Sequence, residues 1–288
     1  MHVKYILWQN DYMLQSLDPL AMESGMNLEE PPHAKATLET VTQVRRWTDS
    51  LLTFQITRPR DYRFKPGQFS RLGLESDGSM IWRAYSVTSS PAQDYLEYVS
   101  VVVPGGAFTT MLTRIVVGAP IWIEKQEYGF MTVDRFQDGD VLWMLATGTG
   151  IGPYVSMLRD PEVWQKFRRI VLVHGVKYAN ELSYHEVLFD LKSHPPLADA
   201  APAELHLIET STRESEHSPG RLHGRITTLL DDGTLEKAAR ISINVESSRI
   251  MMCGNPAMIE DTRRILHGRG LRPCRRLLPG QFVTENYW

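Results

Sequence analysis

Between residues 36 and 125, apolar positions come in short runs broken by turn residues. Residues 36–47, 51–57, 68–74, 81–88, 96–103 and 120–125 are each rich in β-branched and aromatic side chains and read as strands. Pro66-Gly67, Asp77-Gly78, Ser90-Pro91 and Pro104-Gly105-Gly106 punctuate them. One helical piece, residues 108–115, interrupts the series. Six short strands with so little helix predict a small antiparallel barrel. The texture changes near Asp134–Asp140. Beyond it, apolar strands at 141–146, 170–173, 204–208 and 249–252 alternate with helical patterns at 153–159, 182–192, 226–230 and 256–267. Asn180 is a plausible cap for the second of these helices. This alternation predicts a doubly wound parallel sheet. The expected organisation is a leader over 1–33, a six-stranded antiparallel barrel domain over 34–134 and an α/β domain over 135–288.

Composition narrows the classes. The chain has 288 residues, 42% hydrophobic and 23% charged, which excludes wholesale disorder and fibrous folds. Its net charge of -3 conceals an uneven distribution. Residues 1–33 carry one base (Lys4) and five acids, leaving 30 bases and 29 acids for the rest. That leader fits neither a signal nor a transit peptide, so a disordered tail or an over-long start is expected, with a docking peptide as the alternative. Cytoplasm is the default compartment. The uncharged run 141–158 holds a glycine-rich turn in its middle and is not expected to span a membrane. Neither a nucleic-acid nor a membrane partner is expected, and no metal. Cys253 and Cys274 are the only cysteines, too few for an iron–sulfur cluster.

Five motifs carry chemistry. Arg83-Ala84-Tyr85-Ser86 ends a strand, with Arg83 and Tyr85 on one face and Ser86 on the other. A guanidinium beside a phenol ring suits a flat ligand bearing phosphates. Pro104-Gly105-Gly106 leads into a helix, whose exposed N–H groups and Thr109 hydroxyl could meet an anion; an ordinary capped turn reads the same way. Thr147-Gly148-Thr149-Gly150-Ile151-Gly152-Pro153 joins an apolar strand to a helix, where open α/β sheets bind ligands. Its glycine spacing differs from Gly-x-Gly-x-x-Gly but admits a nucleotide pyrophosphate. Cys253-Gly254-Asn255-Pro256 repeats the strand–turn–helix arrangement. Glu285-Asn286-Tyr287-Trp288 places two aromatics at the end, explained by packing on a cofactor or in the core.

In this order, and with Val173-His174-Gly175 and Leu182-Ser183-Tyr184, the motifs resemble bacterial-type ferredoxin (flavodoxin)–NADP reductases from residue 35 onward. The resemblance implies a barrel that holds FAD and an α/β half that holds NADP(H). It implies Arg83 on the FAD pyrophosphate, Tyr85 on the isoalloxazine, and Ser86 near flavin N5. Ala84, Val99 and Val101 would line the flavin, with Phe108 and Thr109 at the phosphates. Thr147 would stand near both cofactors, and Tyr287 and Trp288 would cover the flavin face and its adenine end. Thr147, Gly148, Thr149, Gly150, Cys253 and Gly254 would receive NADP. Lys177, Arg213 and Arg225 would face its 2′-phosphate and Tyr184 its adenine. The family usually carries arginine where Lys177 stands. Ser86, Cys253 and Glu285 are the expected catalytic groups, Glu285 relaying a proton.

The implied partner is an acidic ferredoxin or flavodoxin, and the family is commonly monomeric. Two basic clusters could steer such a partner: Arg58, Arg60, Arg63, Lys65 and Arg71, and Arg263, Arg264, Arg269, Arg272, Arg275 and Arg276. Two alternatives stay open. One is another enzyme on this scaffold, a free-flavin reductase or an oxygenase reductase component. The other is a flavin-binding regulatory module that does not turn over.

Overall fold

The structure, a computed structural model, describes residues 34–76, 78–197, 202–214, 220–275 and 278–286. The expectations for residues 1–33, Arg276, Tyr287 and Trp288 lie outside the described residues. Lys35–Trp288 is one compact unit containing two sheets.

The first sheet comprises β1 (Ala36–Arg46), β2 (Leu51–Thr57), β3 (Phe69–Ser76), β4 (Ser79–Ser86), β5 (Tyr95–Val101) and β6 (Pro120–Glu124). Its order is β4-β3-β6-β1-β2-β5, and every pairing is antiparallel. The edge strands β4 and β5 meet, and the Tyr85 hydroxyl bridges them to Ser100 Oγ at 3.1 Å. Inward positions carry Val41, Phe54, Ile56, Leu72, Leu96, Tyr98, Ile121 and Ile123, all buried together. A short helix α1 (Ala107–Leu112) adds Phe108 and Leu112 to that core. The strand alternation in the sequence is thus the alternation between barrel interior and surface.

The second sheet is wholly parallel, ordered β10-β9-β8-β7-β11-β12. In chain order its elements are β7 (Val141–Thr147), α2 (Gly152–Leu158), α3 (Pro161–Lys166), β8 (Arg169–Val176), α4 (His185–Ser193), β9 (Glu204–Ser211), β10 (Leu222–His223), α5 (Ile226–Asp231), α6 (Thr234–Ala239), β11 (Ser248–Gly254), α7 (Pro256–Gly268) and β12 (Phe282–Asn286). Helices cover both faces, so central strands such as β7 are buried on each side and read as unbroken apolar runs. Among the described residues, no helix is long and apolar enough to cross a membrane.

Several elements differ from the sequence reading. The helix expected from residue 182 starts at His185, because Tyr184 takes a left-handed backbone (φ 63°) and turns the chain first. Helix α2 is preceded by a 3-10 turn, Gly148–Ile151. Helices α3 and α6 and strands β10 and β12 had no expected counterpart. Helix α3 is six residues, capped by the Asp160 side chain and started by Pro161. The boundary expected at 134/135 falls inside a 3-10 turn, Val133–Arg135, between the two sheets.

The two halves meet through glycines. Gly67 has φ +98°, and a Cβ on it would lie 2.0 Å from the Met131 carbonyl oxygen and 2.5 Å from the Met157 methyl. Gly67→Ala therefore combines overpacking with a disfavoured backbone, a cost of roughly 2–4 kcal/mol. Thermal unfolding should shift down by about 5 °C or more. Gly268→Ala, at an open helical position, should leave Tm unchanged or slightly raised.

Candidate functional site

After β7 the chain lays β8, β9 and β10 to one side, then returns to place β11 on the other. The crevice at the carboxyl ends of β7 and β11 is therefore the topological switch point of the sheet. Two loops meet there in unusually close contact. A Cβ on Gly150 would lie 2.4 Å from the Cys253 carbonyl oxygen, and one on Gly254 (φ +126°) 2.2 Å from Thr147 Oγ1. The Asn255 N–H donates to Thr147 Oγ1 at 2.8 Å, while its side chain accepts from Ala257 and Met258 and caps α7. Gly148, by contrast, has φ +55° and open space where a Cβ would stand. Its carbonyl lies 3.0 Å from Nε2 of the buried His174 on β8. Burial pushes His174 down to about 4, so the ring is neutral near pH 7. A carbonyl only accepts, so Nε2 carries the proton and donates it.

The barrel contributes the end of β4. A Cβ on Gly152, at the start of α2, would lie 3.2 Å from Thr88 Cγ2 and Val99 Cγ1 and 3.9 Å from Ser86 Cβ. The Thr147–Gly152 loop thus stands directly beside the Arg83-Ala84-Tyr85-Ser86 strand end. Tyr85 is half-buried on an aromatic bed, with Phe108 at 5.6 Å and Phe54 edge-on at 6.3 Å. Burial pushes its phenol up to about 12, so it stays neutral. Arg83 and Ala84 are exposed. The Arg83 guanidinium donates to the Trp82 carbonyl and enters no ion pair among the described residues. An unmatched cation beside a half-open ring fits a flavin nucleotide.

Four further residues expected at FAD are engaged to different degrees within the barrel. Thr109 Oγ1 closes its own turn through Val103 and Gly106, so its hydroxyl is already engaged. Phe108 is 1% exposed, leaving only its backbone to meet a ligand. Val99 packs against α2, while Val101 is half-buried.

Strand β12 was missed in the sequence, yet it sets Glu285 opposite Cys253 in register. Cys253 is fully buried. Glu285 Oε2 is buried without a hydrogen-bond partner, and burial pushes the carboxyl up to about 7. An orphaned carboxyl at a strand's carboxyl end fits the polar edge of a bound ring.

Lys177 follows β8, Arg213 follows β9, and Arg225 precedes α5. The Arg213 N–H donates to the Lys177 carbonyl at 2.9 Å, so the first two sit side by side. Glu181 fixes the first loop by accepting from the Lys177 N–H at 2.9 Å. All three cations are exposed and enter no ion pair among the described residues, which suits a phosphate. Tyr184 does not join them. It is 3% exposed and its hydroxyl meets Thr88 Oγ1 at 3.0 Å, so no ring face is open to an adenine. Sequence reasoning also passed over its neighbours Glu97 and Arg159. The signal was a lone acid inside the apolar run of β5.

The basic clusters are thinner than their sequence suggests. Lys65 pairs with Asp134, Arg71 with Glu124, Arg264 with Asp261 and Arg269 with Glu236. Arg58 is spent on the carbonyls of Tyr62, Pro91 and Gln93. Arg60, Arg63, Arg263, Arg272 and Arg275 remain exposed without a carboxylate partner among the described residues.

Comparison with known proteins agrees with this geometry. A family model described as an oxidoreductase FAD-binding domain matches residues 35–126, and one described as an oxidoreductase NAD-binding domain matches residues 144–264. A ferredoxin–NADP reductase of Azotobacter vinelandii is 36% identical over 251 residues, 86% of this chain and 96% of the relative. A flavodoxin/ferredoxin–NADP reductase of Rhodobacter capsulatus is 38% identical over 250 residues, 86% of this chain and 91% of the relative. The crystal structure of a ferredoxin NADP+ reductase from Neisseria gonorrhoeae, with bound FAD and NADP, is 38% identical. It superposes with a TM-score of 0.81 over 88% of this chain and 99% of the other.

Glu285 makes the site's electrostatics testable. Its folded-state value of about 7 lies above the ordinary 4.5, so the fold favours the protonated acid. That contribution is complete below about pH 4.5 and lost as pH rises through 7, on the order of 3 kcal/mol. Urea midpoints of the purified protein should fall between pH 5 and 8 relative to Glu285→Gln, which does not titrate. Parallel curves would show that Glu285 is an ordinary carboxylate.

Proposed function

From its membership of the ferredoxin (flavodoxin)–NADP reductase family, to which the chain belongs, we propose how its residues divide the work. The protein is a FAD-dependent NADP(H) oxidoreductase. When bound, FAD would supply the redox chemistry, taking hydride from NADPH and passing electrons on singly. The residues around it bind, orient and exclude water. Arg83 clamps the pyrophosphate with its otherwise unpaired guanidinium. Tyr85 offers a neutral aromatic face held in place by Ser100 and Phe108. Thr147 accepts from Asn255 and keeps its own O–H to donate toward a ligand over the loop. Lys177, Arg213 and Arg225 hold the 2′-phosphate. Ser86 and Cys253 bound the reacting ring, and Glu285 holds a proton at its edge, protonated below about pH 7. The observation that carries this reading is the packing of Gly152 against Ser86, Thr88 and Val99, which sets the switch-point loop beside the barrel strand.

The partner in this reading is an acidic ferredoxin or flavodoxin, drawn to the exposed Arg60 and Arg63 or to Arg263, Arg272 and Arg275. Steering by such charges weakens as salt rises. The reading takes the cytoplasm as compartment and a monomer as the working form.

Anaerobic NADPH should bleach the flavin absorbance of the purified protein within seconds, and ferredoxin should then stimulate reduction of a cytochrome. A yellow protein that NADPH leaves oxidised would be a flavin-binding module instead. Bleaching without stimulation by ferredoxin or flavodoxin would favour a free-flavin reductase. Arg213→Ala should raise KM for NADPH by about tenfold or more, the worth of one charge-assisted bond, and leave KM for NADH nearly unchanged.

A further inference from the structure

Away from the reacting ring, one buried carboxylate gathers groups from both halves of the protein. Glu97 lies in the middle of β5 and is 7% exposed. Its Oε1 accepts from Arg159 at 3.0 Å and from the Thr88 hydroxyl at 2.9 Å; its Oε2 accepts from Gln55 at 3.0 Å. Arg159 caps the C-terminus of α2 and donates also to the Thr88 carbonyl at 2.9 Å. Ser156, on the same helix, donates to the Ser89 carbonyl at 2.7 Å. Thr88 gives its hydroxyl proton to Glu97, and the Tyr184 hydroxyl lies 3.0 Å from Thr88 Oγ1 and also within hydrogen-bond reach of Glu97. The Arg159 guanidinium lies 5.6 Å over the Tyr184 ring, and the Trp47 ring centroid lies 6.0 Å from that of Tyr184.

The connectivity gives this cluster its meaning. Helix α2 is the continuation of the Thr147–Gly152 loop, and Tyr184 ends the loop that begins at Lys177. Two of the loops assigned to NADP(H) are thereby tied to the barrel segment that follows Ser86. An apolar seam alone could slide with little loss. A buried ion pair adds little net stability, but its bonds are satisfied in only one arrangement. We propose that Glu97 and Arg159 are positioning residues, a polar joint that holds the two NADP(H) loops in register with the flavin-bearing strand for hydride transfer. The proposal rests on the functional reading above and adds residues that touch neither cofactor. The reacting atoms must come within about 3–3.5 Å, and a misplacement of about 1 Å can cost about a hundredfold in rate. A cavity of about 90 Å³ beside the pair, lined by Trp47, Gln55, Glu97, Arg159 and Tyr184, gives the joint room to shift. Losing the charge should therefore move the loops before it unfolds the protein.

Glu97→Gln and Arg159→Lys test this in the purified flavoprotein. Glu97→Gln should bleach roughly tenfold more slowly at saturating NADPH, with the NADPH dissociation constant within about twofold of the parent. Arg159→Lys keeps one bond to Glu97 and should fall between the two. Independently of turnover, amide hydrogen exchange in residues 152–159 and 182–188 should quicken roughly tenfold while α7 and β1 stay unchanged. A native bleaching rate at saturation, a loss confined to NADPH affinity, or exchange raised evenly across the fold would overturn the proposal. If NADPH fails to bleach even the parent protein, the functional reading fails, and the exchange pattern still decides whether the joint exists.

Discussion

The site depends on one close approach of backbone to backbone. The loops after β7 and β11 touch at the switch point, where a side chain on Gly150 would strike the Cys253 carbonyl and one on Gly254 the Thr147 hydroxyl. This contact closes the crevice at which Thr147, Cys253 and, through β12, Glu285 stand. Parallel pairing puts the carboxyl ends of β7, β11 and β12 at the same edge, so the groups borne there converge without any long loop. His174, buried and neutral, supports the arrangement by donating from Nε2 to the Gly148 carbonyl.

The two sheets divide the physical problem. The barrel presents a rigid aromatic bed beneath Tyr85 and an unmatched cation at Arg83. The parallel sheet carries glycine loops and exposed cations, which the proposed function gives to a second nucleotide. What remains is to hold the halves together within a fraction of an ångström. Gly67 and Gly152 allow the contact, and the bonds of Ser156, Arg159 and Tyr184 to the segment 88–97 hold it. Those groups are buried, so they are shielded from solvent screening in a way the surface ion pairs are not.

Much of this was legible in the chain. Strand alternation over 36–125 and apolar runs beyond 141 carry both architectures, because each reflects how many faces a strand buries. The glycine motifs reported the switch point, since only glycine admits such contact. Other features were hidden for physical reasons. Strand β12 offers only Phe282 and Val283 as an apolar signal, and as an edge strand it has β11 as its one neighbouring strand in the described sheet. Tyr184 looks in sequence like an aromatic next to a binding loop. Its left-handed backbone, a tertiary effect, turns it inward instead. Thr109 read in sequence either as a ligand-facing hydroxyl or as part of an ordinary turn, and local turn geometry engages it. The charge clusters were overcounted because most of their acidic partners are distant in sequence, as with Lys65 and Asp134, while Asp261 stands three residues from Arg264.

In the function proposed above, nicotinamide and flavin come into direct contact in the crevice between strand β4 and the β7 and β11 loops. Anaerobic stopped-flow bleaching with NADPH carrying deuterium at the transferred C4 position measures this most directly. Direct hydride transfer predicts slower bleaching with the deuterated cofactor than with the ordinary one, and no loss of the label to solvent before flavin reduction. Equal rates at saturating cofactor, with bleaching that proceeds only after a mediator is added, would contradict it.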